Sequence, residues 1–192
     1  MPVRLLLLLL SLTIFLPVVA EAQPAQTAIE LRLGLIGRWS GGLGYRDYQS
    51  DELFEIPVVT TIETPGDGAT LIRQSLFNDG PNNPVWITTI SLDDAEAATS
   101  TSASFRAGKA PDLSTEAVEV GAFVDSTHWT LIYRRVGEDD EAPADIRITE
   151  TRDGDELTEV KDVRPVGASD DAWRFRNQTR LTRIADQGPA SN

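Results

Sequence analysis

Short segments with β-type patterns recur along most of this chain, and turn signals separate them. Between residues 37 and 184, about ten segments combine β-branched or aromatic residues with alternating polarity, and no long helical pattern interrupts them. Turn residues such as Pro65-Gly66-Asp67-Gly68 and Asp153-Gly154 lie between these segments. Because closing a sheet removes its unpaired edges, the pattern predicts an all-β fold, an antiparallel up-and-down β-barrel of about ten strands.

The first 22 residues have the pattern of a secretory signal peptide. Arg4 precedes an apolar run, Leu5 to Leu16, and Ala20-Glu21-Ala22 forms a small-residue cleavage site. The run is shorter than a typical membrane-spanning helix, so a retained anchor is the minority alternative. We expect a secreted or periplasmic protein that is cleaved after Ala22 and has no stable membrane insertion.

The rest of the chain divides into a lead-in, one domain and a tail. In the lead-in, residues 23–36, Thr27 with Glu30 three residues on predicts the start of a short helix, although the apolar residues also suit a strand. Residues 37–184 form the barrel domain, and residues 185–192 form a polar, disordered tail. The chain has no cysteine, so a hydrophobic core must stabilise the domain without disulfides.

The net charge restricts the classes of partner. The chain carries a formal charge of −13 at pH 7, and an acidic surface repels nucleic acid and anionic lipid headgroups. We therefore expect no nucleic-acid partner. Two polar segments are predicted to face solvent, a Ser/Thr-rich strand over residues 99–107 and an acidic loop over residues 137–144.

The two ends of the predicted barrel resemble those of a known family. Gly37-Arg38-Trp39 opens the first strand, and Arg183 lies near the end of the last, with Arg180 as an alternative of opposite parity. This arrangement resembles the calycins, the lipocalin and fatty-acid-binding-protein barrels. There, a Gly-x-Trp on the first strand packs under an Arg or Lys from the last. The resemblance implies that Gly37 and Trp39 help to close one end and that Arg183 covers the indole.

The first strand continues through a glycine-rich stretch. Gly41, Gly42 and Gly44 are interpreted as places where the strand bends around the barrel. A phosphate-binding loop is the weaker alternative, because no helix pattern follows. The wider string from Trp39 to Tyr48 is also similar to exported bacterial proteins to which no activity is assigned.

Several aromatic and polar residues share the parity assigned to the barrel interior. We predict that they line a site for a small hydrophobic or amphipathic ligand; the set is Tyr45, Asp47, Trp129, Tyr133, Trp173, Phe175 and Asn177. The alternative is that the aromatics fill the core. The protein would then be an envelope interaction or structural module, with an outward stripe of Arg174, Arg176 and Arg180 as a partner contact.

Signals for catalysis, metals and cofactors are weak. With one histidine, His128, and no cysteine, a Cys nucleophile and a Cys- or multi-His zinc site are excluded. We expect no metal, no cofactor and no catalytic residue. His128 has the parity opposite to Trp129, which predicts a surface position; a haem ligand would need the opposite face assignment. Carboxylate pairs such as Asp93-Asp94 are expected in solvated turns. A hydrolase that uses carboxylates or His128 is the third hypothesis.

Overall fold

Ten strands form a closed antiparallel barrel, as predicted. The structure, a computed structural model, describes residues 26–46, 52–80 and 83–185. Each strand pairs with its neighbours in the chain, and the first pairs with the last. The elements are α1 (Ala28–Leu33), β1 (Gly37–Arg46), β2 (Leu53–Glu63), β3 (Thr70–Asn78), β4 (Pro84–Asp94), β5 (Thr99–Arg106), β6 (Asp112–Asp125), β7 (His128–Asp139), β8 (Ala142–Asp153), β9 (Glu156–Pro165), a 3₁₀ turn (Asp170–Ala172) and β10 (Arg174–Arg183).

Three parts of the sequence interpretation lie outside these described residues: the signal peptide, Asp47, and the tail after residue 185. Among the residues that are described, no helix has the length and apolar character needed to cross a lipid bilayer.

The lead-in contains the helix rather than the strand. Thr27 and Glu30 form a capping box, in which the Glu30 carboxylate accepts from the Thr27 backbone N–H at 2.8 Å and the Thr27 hydroxyl accepts from Glu30 N–H. Helix α1 contacts β4 and β6 and buries Ile29 and Leu31. The helix thus covers one end of the barrel, which we call the closed end.

Apolar side chains fill the closed end. They come from α1, from the residues that follow it and from one end of many strands, so the main core cluster is a plug at this end. The cluster comprises Ile29, Leu31, Leu35, Trp39, Val58, Ile62, Leu71, Val118, Trp129, Leu131, Tyr133, Leu157 and Leu181. A few apolar side chains are also buried farther along β8 and β9; these are Ala144, Ile146 and Val163.

Trp39 and Arg183 lie together at this end. Trp39 is fully buried, and its indole N–H donates to the Leu35 carbonyl at 2.8 Å. The Arg183 guanidinium lies 4.3 Å from the Trp39 ring centre and donates to the carbonyls of Ile36 and Gly34 at 2.8 and 2.7 Å. Arg183 therefore ties the last strand to the chain segment between α1 and β1.

Two glycines in β1 are required by close approach. Gly37 has a φ of +133°, and a Cβ there would lie 2.8 Å from Arg183 Nη1. At Gly41, a Cβ would lie 1.9 Å from the Arg180 carbonyl oxygen of β10. A side chain at either position would disturb the seam between the first and last strands.

The predicted acidic loop over residues 137–144 is a tight turn instead. Strands β7 and β8 continue until Asp139 is opposite Ala142, which leaves Asp140 and Glu141 as the turn, both with positive φ. The extension is stabilised because Asp139 accepts a hydrogen bond from Arg176 of β10 at 2.9 Å. The Asp139 carboxylate, which the sequence places in a solvent-facing loop, thus accepts a hydrogen bond across the open end of the barrel.

A β-bulge in β10 changes which residues face the interior. Phe175 is opposite Asp162 of β9, and Asn177 is opposite Lys161, so Arg176 is the extra residue between them. One inserted residue reverses the alternation of faces along a strand. Side chains that precede the bulge therefore have the opposite orientation to the one that simple alternation predicts.

Replacing Arg183 with alanine tests the closure. We expect Arg183→Ala to lower the free energy of unfolding by about 2–3 kcal/mol, because it removes a cation–π contact and two charge-assisted hydrogen bonds. Arg180→Ala, on the same strand but exposed, is the matched control and is expected to change stability by about 0.5 kcal/mol or less. Urea unfolding measures both. Equal effects of the two substitutions would contradict a closing role for Arg183.

Candidate functional site: a charged cavity inside the barrel

The barrel interior contains a cavity beyond the apolar plug. Its volume is about 230 Å³, and a second cavity of about 130 Å³ adjoins it, since Arg73, Thr89 and Glu159 line both. Polar side chains dominate the larger one. Besides the three shared residues, it is lined by Arg32, Leu35, Ile62, Leu71, Ser91, Ser100, Ser102, Ser104, Ser114, Glu116, Tyr133, Arg135, Ile148 and Glu150.

Arg32 projects from α1 into this cavity. Its Nη1 donates to both carboxylate oxygens of Asp93 at 2.7 Å, and its Nη2 lies 3.3 Å from the Ser91 hydroxyl. Its guanidinium is also 5.7 Å from the Tyr133 ring centre. The short helix therefore contributes the apolar residues of the plug and also a cation to the cavity floor.

Glu150 lies between two arginines. One of its carboxylate oxygens is 3.9 Å from Arg32 Nε, and the other is 3.6 Å from Arg73 Nη2. Arg73 in turn donates to Glu159 at 2.8 Å. These contacts, together with Asp93, make a continuous network of alternating charges that joins α1 to β3, β4, β8 and β9.

Burial sets the protonation of this network. It raises the pKa of Glu150, although Arg32 and Arg73 act in the opposite direction. Burial likewise raises the pKa of the Tyr133 hydroxyl well above its usual range. For Arg32, burial lowers the pKa, but Tyr133, Glu150 and Asp93 together outweigh it and the net shift is upward. The two arginines therefore stay charged, and the Glu150 carboxylate takes up a proton more readily than a solvent-exposed glutamate does.

A second ion pair and a row of hydroxyls complete the lining. Arg135 Nε donates to Glu116 at 3.0 Å, and burial raises the pKa of Glu116 despite this pairing. Strands β4, β5 and β6 add hydroxyls that bond in pairs across the sheet, Thr89 with Ser104 and Ser102 with Ser114. Hydroxyls both donate and accept, so this wall can adapt to different hydrogen-bonding groups.

One buried donor in the cavity is unused. Arg32 Nε is inaccessible to bulk solvent and has no hydrogen-bond partner among the residues that the structure describes. A buried guanidinium nitrogen without an acceptor is unfavourable. An acceptor atom of water or of a ligand in the cavity would satisfy it.

The predicted site residues separate into groups. Tyr133 lines the cavity. Trp129 also faces inward, but it belongs to the closed-end plug, where its indole N–H lies 3.2 Å from the Ser126 carbonyl. Tyr45 and Asn177 are opposite each other on β1 and β10, towards the open end, and Tyr45 is 37% exposed.

Trp173 and Phe175 are on the outside of the barrel, which corrects the sequence assignment. The Trp173 ring lies between the guanidinium groups of Arg147 and Arg164, 4.4 and 4.5 Å from its centre. Both arginines alternate with inward residues of β8 and β9. Phe175 lies beneath Arg46 at 5.8 Å. The cause is the bulge in β10, because a prediction from period-two alternation does not include an inserted residue.

The bulge also divides the predicted arginine stripe. Arg176 donates a hydrogen bond to Asp139 at the open end of the barrel, whereas Arg174 and Arg180 are exposed. The three side chains therefore do not form one outward stripe.

His128 is exposed, in agreement with its predicted surface position. Its Nδ1 lies 2.9 Å from the Asp125 carboxylate and its Nε2 lies 3.4 Å from Asp153. It begins β7 at the closed end and does not line the cavity.

The charged network itself was missed in the sequence. Asp93 was expected in a solvated turn, but it is buried. The strand at 99–107 was expected to face solvent, but Ser100, Ser102 and Ser104 line the cavity. The available signal was charge at inward parity, as at Arg73 between Leu71 and Ser75. This pattern would have supported the prediction that the barrel interior is polar.

Comparison with known proteins identifies the fold but not a family. No family model matches the chain, and no curated protein matches it. Among solved structures, the crystal structure of Rv2717c from M. tuberculosis is similar, with a TM-score of 0.54 and 17% sequence identity. The match covers 83% of this chain and 99% of that one. At this identity, the likeness supports the barrel architecture alone.

Replacing Arg32 with methionine tests the network. We expect Arg32→Met to lower the free energy of unfolding by about 3–5 kcal/mol at about pH 7, because Asp93 and Glu150 stay buried without their main cation. Arg134→Met is the control, since Arg134 pairs with Glu119 at the surface, and we expect it to cost about 0.5 kcal/mol or less.

The deficit of Arg32→Met should depend on pH. In the variant, the pKa of folded Glu150 rises further above its value in the unfolded chain. Such a group binds more protons when folded, so the variant loses stability as pH rises between those two values. Denaturant unfolding should therefore give a smaller deficit near pH 5 than near pH 7. A deficit that is the same at both values, or that resembles the Arg134→Met control, would contradict the network.

Proposed function

We propose that this protein is exported and that its barrel binds a small amphipathic ligand without catalysing a reaction. The observation that carries the proposal is the interior cavity with a buried, unused donor at Arg32 Nε. Cavities of about 230 and 130 Å³ together only reach the lower end of the usual range for ligand sites, roughly 300–1,000 Å³. A compact ligand is therefore favoured over a long lipid chain.

The two cavities differ in character, which supports an amphipathic ligand. The larger one offers charged groups and hydroxyls, including Arg32, Glu150 and Ser102. Four of the ten residues that line the smaller one are apolar, a larger share than in the larger cavity; these are Val58, Phe77, Ile87 and Leu181. A ligand with a polar head beside Arg32 and an apolar part beside Phe77 would match both.

Binding rather than catalysis suits the chemistry of the lining. The carboxylates of the cavity, Glu116, Glu150 and Glu159, are each engaged with an arginine, so they neutralise buried cations. The exposed His128 lies elsewhere. Export rests on the signal-peptide pattern of residues 1–22.

Native mass spectrometry of the protein purified from an exporting host tests the proposal directly. We expect a chain that begins at Gln23, with part of the population carrying a small molecule that organic solvent releases. A chain that retains residues 1–22 would contradict export. A protein that is always free of ligand, and that binds no probe in the titration below, would favour the alternative of a structural or interaction module.

A cavity-filling substitution locates the binding site. We expect Ser102→Phe to weaken binding of the amphipathic dye anilinonaphthalenesulfonate roughly tenfold or more, because the new ring occupies the cavity. Thr149→Phe is the matched control: Thr149 lies between two cavity-lining residues of β8, Ile148 and Glu150, and faces outward. We expect its affinity to stay within about twofold of the wild type. Fluorescence titration measures all three proteins, and equal binding by both variants would refute a site inside the barrel.

A further inference from the structure

Two adjacent strands, β4 and β5, and in part their neighbour β3, have polar side chains inside the barrel and apolar ones outside. On β5, Ser100, Ser102 and Ser104 face the cavity, while Ala103 and Phe105 face outward. On β4, Thr89 and Ser91 line the cavity, while Trp86, Ile90 and Leu92 face outward. On β3, the inward Arg73 and Ser75 alternate with the apolar Leu71 and Phe77, and Ile72 and Leu76 face outward. A sheet that faces water on one side normally has its apolar residues on the inner face. Here apolar residues lie on the outer face, and no other element of the described chain packs against them.

The outward apolar residues form one continuous surface, which we call the apolar wall. The strand register makes it continuous: Leu76 is opposite both Val59 and Trp86, and Ala103 is opposite both Ile90 and Leu113. Its exposed large members have exposed fractions between 39% and 73%; they are Val59, Trp86, Ile90, Leu92, Phe105 and Leu113.

Charge is absent from this wall in a highly charged chain. The outward positions of residues 70–76 on β3, 86–92 on β4 and 99–105 on β5 carry no ionisable side chain. In contrast, outward positions on β8, β9 and β10 carry Arg147, Asp162 and Arg180. The apolar wall therefore lies on one side of the barrel, and the apolar residues exposed elsewhere, such as Val124 and Val136, are not part of it.

We propose that the apolar wall is the interface of a homodimer. The chain has a net charge of −13, so two copies repel each other across most orientations. The uncharged wall allows them to meet with their acidic residues turned away. Two antiparallel sheets packed face to face are a standard arrangement, and the threonines between the apolar residues can bond across it.

The size of the wall suits this partner. At roughly 150–250 Å² of total surface per large side chain, the six exposed residues leave on the order of 500–600 Å² accessible. The intervening threonines and Gln74 bring this towards the roughly 800 Å² per partner of a standard interface. A patch of this size is also at the upper end of what monomers expose.

Sedimentation equilibrium of the full chain, with the protomer mass fixed by mass spectrometry, tests the proposal. We expect a dimer for the wild type, and dimerisation weakened roughly tenfold or more in the double variant Trp86→Glu/Leu113→Glu. The matched control is Val124→Glu/Val136→Glu, which adds the same charge at apolar residues of 78% and 65% exposure outside the wall. It should dimerise like the wild type. A monomeric wild type, or equal dimerisation of both double variants, would overturn the proposal.

A second measurement avoids reliance on the folding of the glutamate variant. Because the chain has no cysteine, single-cysteine variants accept a spin label at one position. We expect a short distance between labels in Ile90→Cys dimers, since packed sheets lie about 10 Å apart, and a distinctly longer one in Val136→Cys dimers. The reverse order would overturn the assignment. So would a wild type that is monomeric but sediments with phosphatidylcholine vesicles, which would assign the wall to lipid.

Discussion

Burying Arg32 inside the barrel removes a guanidinium from water, and Asp93 and Glu150 compensate that cost. Because Asp93 belongs to β4 and Glu150 to β8, a single side chain of a six-residue helix holds α1 across the closed end. The same charges require hydrogen-bonding neighbours, which the serines and threonines of β4 to β6 supply. The network thus keeps a polar cavity next to an apolar plug, and the proposed ligand site depends on that division.

The polar interior also explains the outside of the barrel. Strands alternate their faces, so strands that contribute serines and arginines to the cavity have many of their apolar residues on the exterior. On β3 to β5, the residues that make the cavity polar therefore leave the apolar wall uncovered. The proposed ligand site and the proposed dimer interface are consequences of one inverted alternation, although each can fail experimentally without the other.

The sequence predicted the barrel because ten alternating segments with short connections leave few other arrangements. It also singled out Trp39 and Arg183, which the structure brings into contact. It missed the charged network because Arg32, Arg73 and Glu150 are far apart in the chain, and only the closure of the barrel and the position of α1 over its end bring them together. Trp173 and Phe175 were misassigned because a bulge at Arg176 changes the period by one residue. Alternation identifies two faces, but it does not say which face is polar and inside.

The most direct test of this account is a crystal structure of the purified protein at a resolution that reveals ordered water. The account predicts a ligand atom or water within hydrogen-bonding distance of Arg32 Nε, in the space bounded by Arg73, Ser102 and Glu116. It also predicts that Arg32 keeps its paired contacts with Asp93. An interior in which Arg73 and Arg135 fold inward and fill that space, with Arg32 turned out of the barrel, would contradict it.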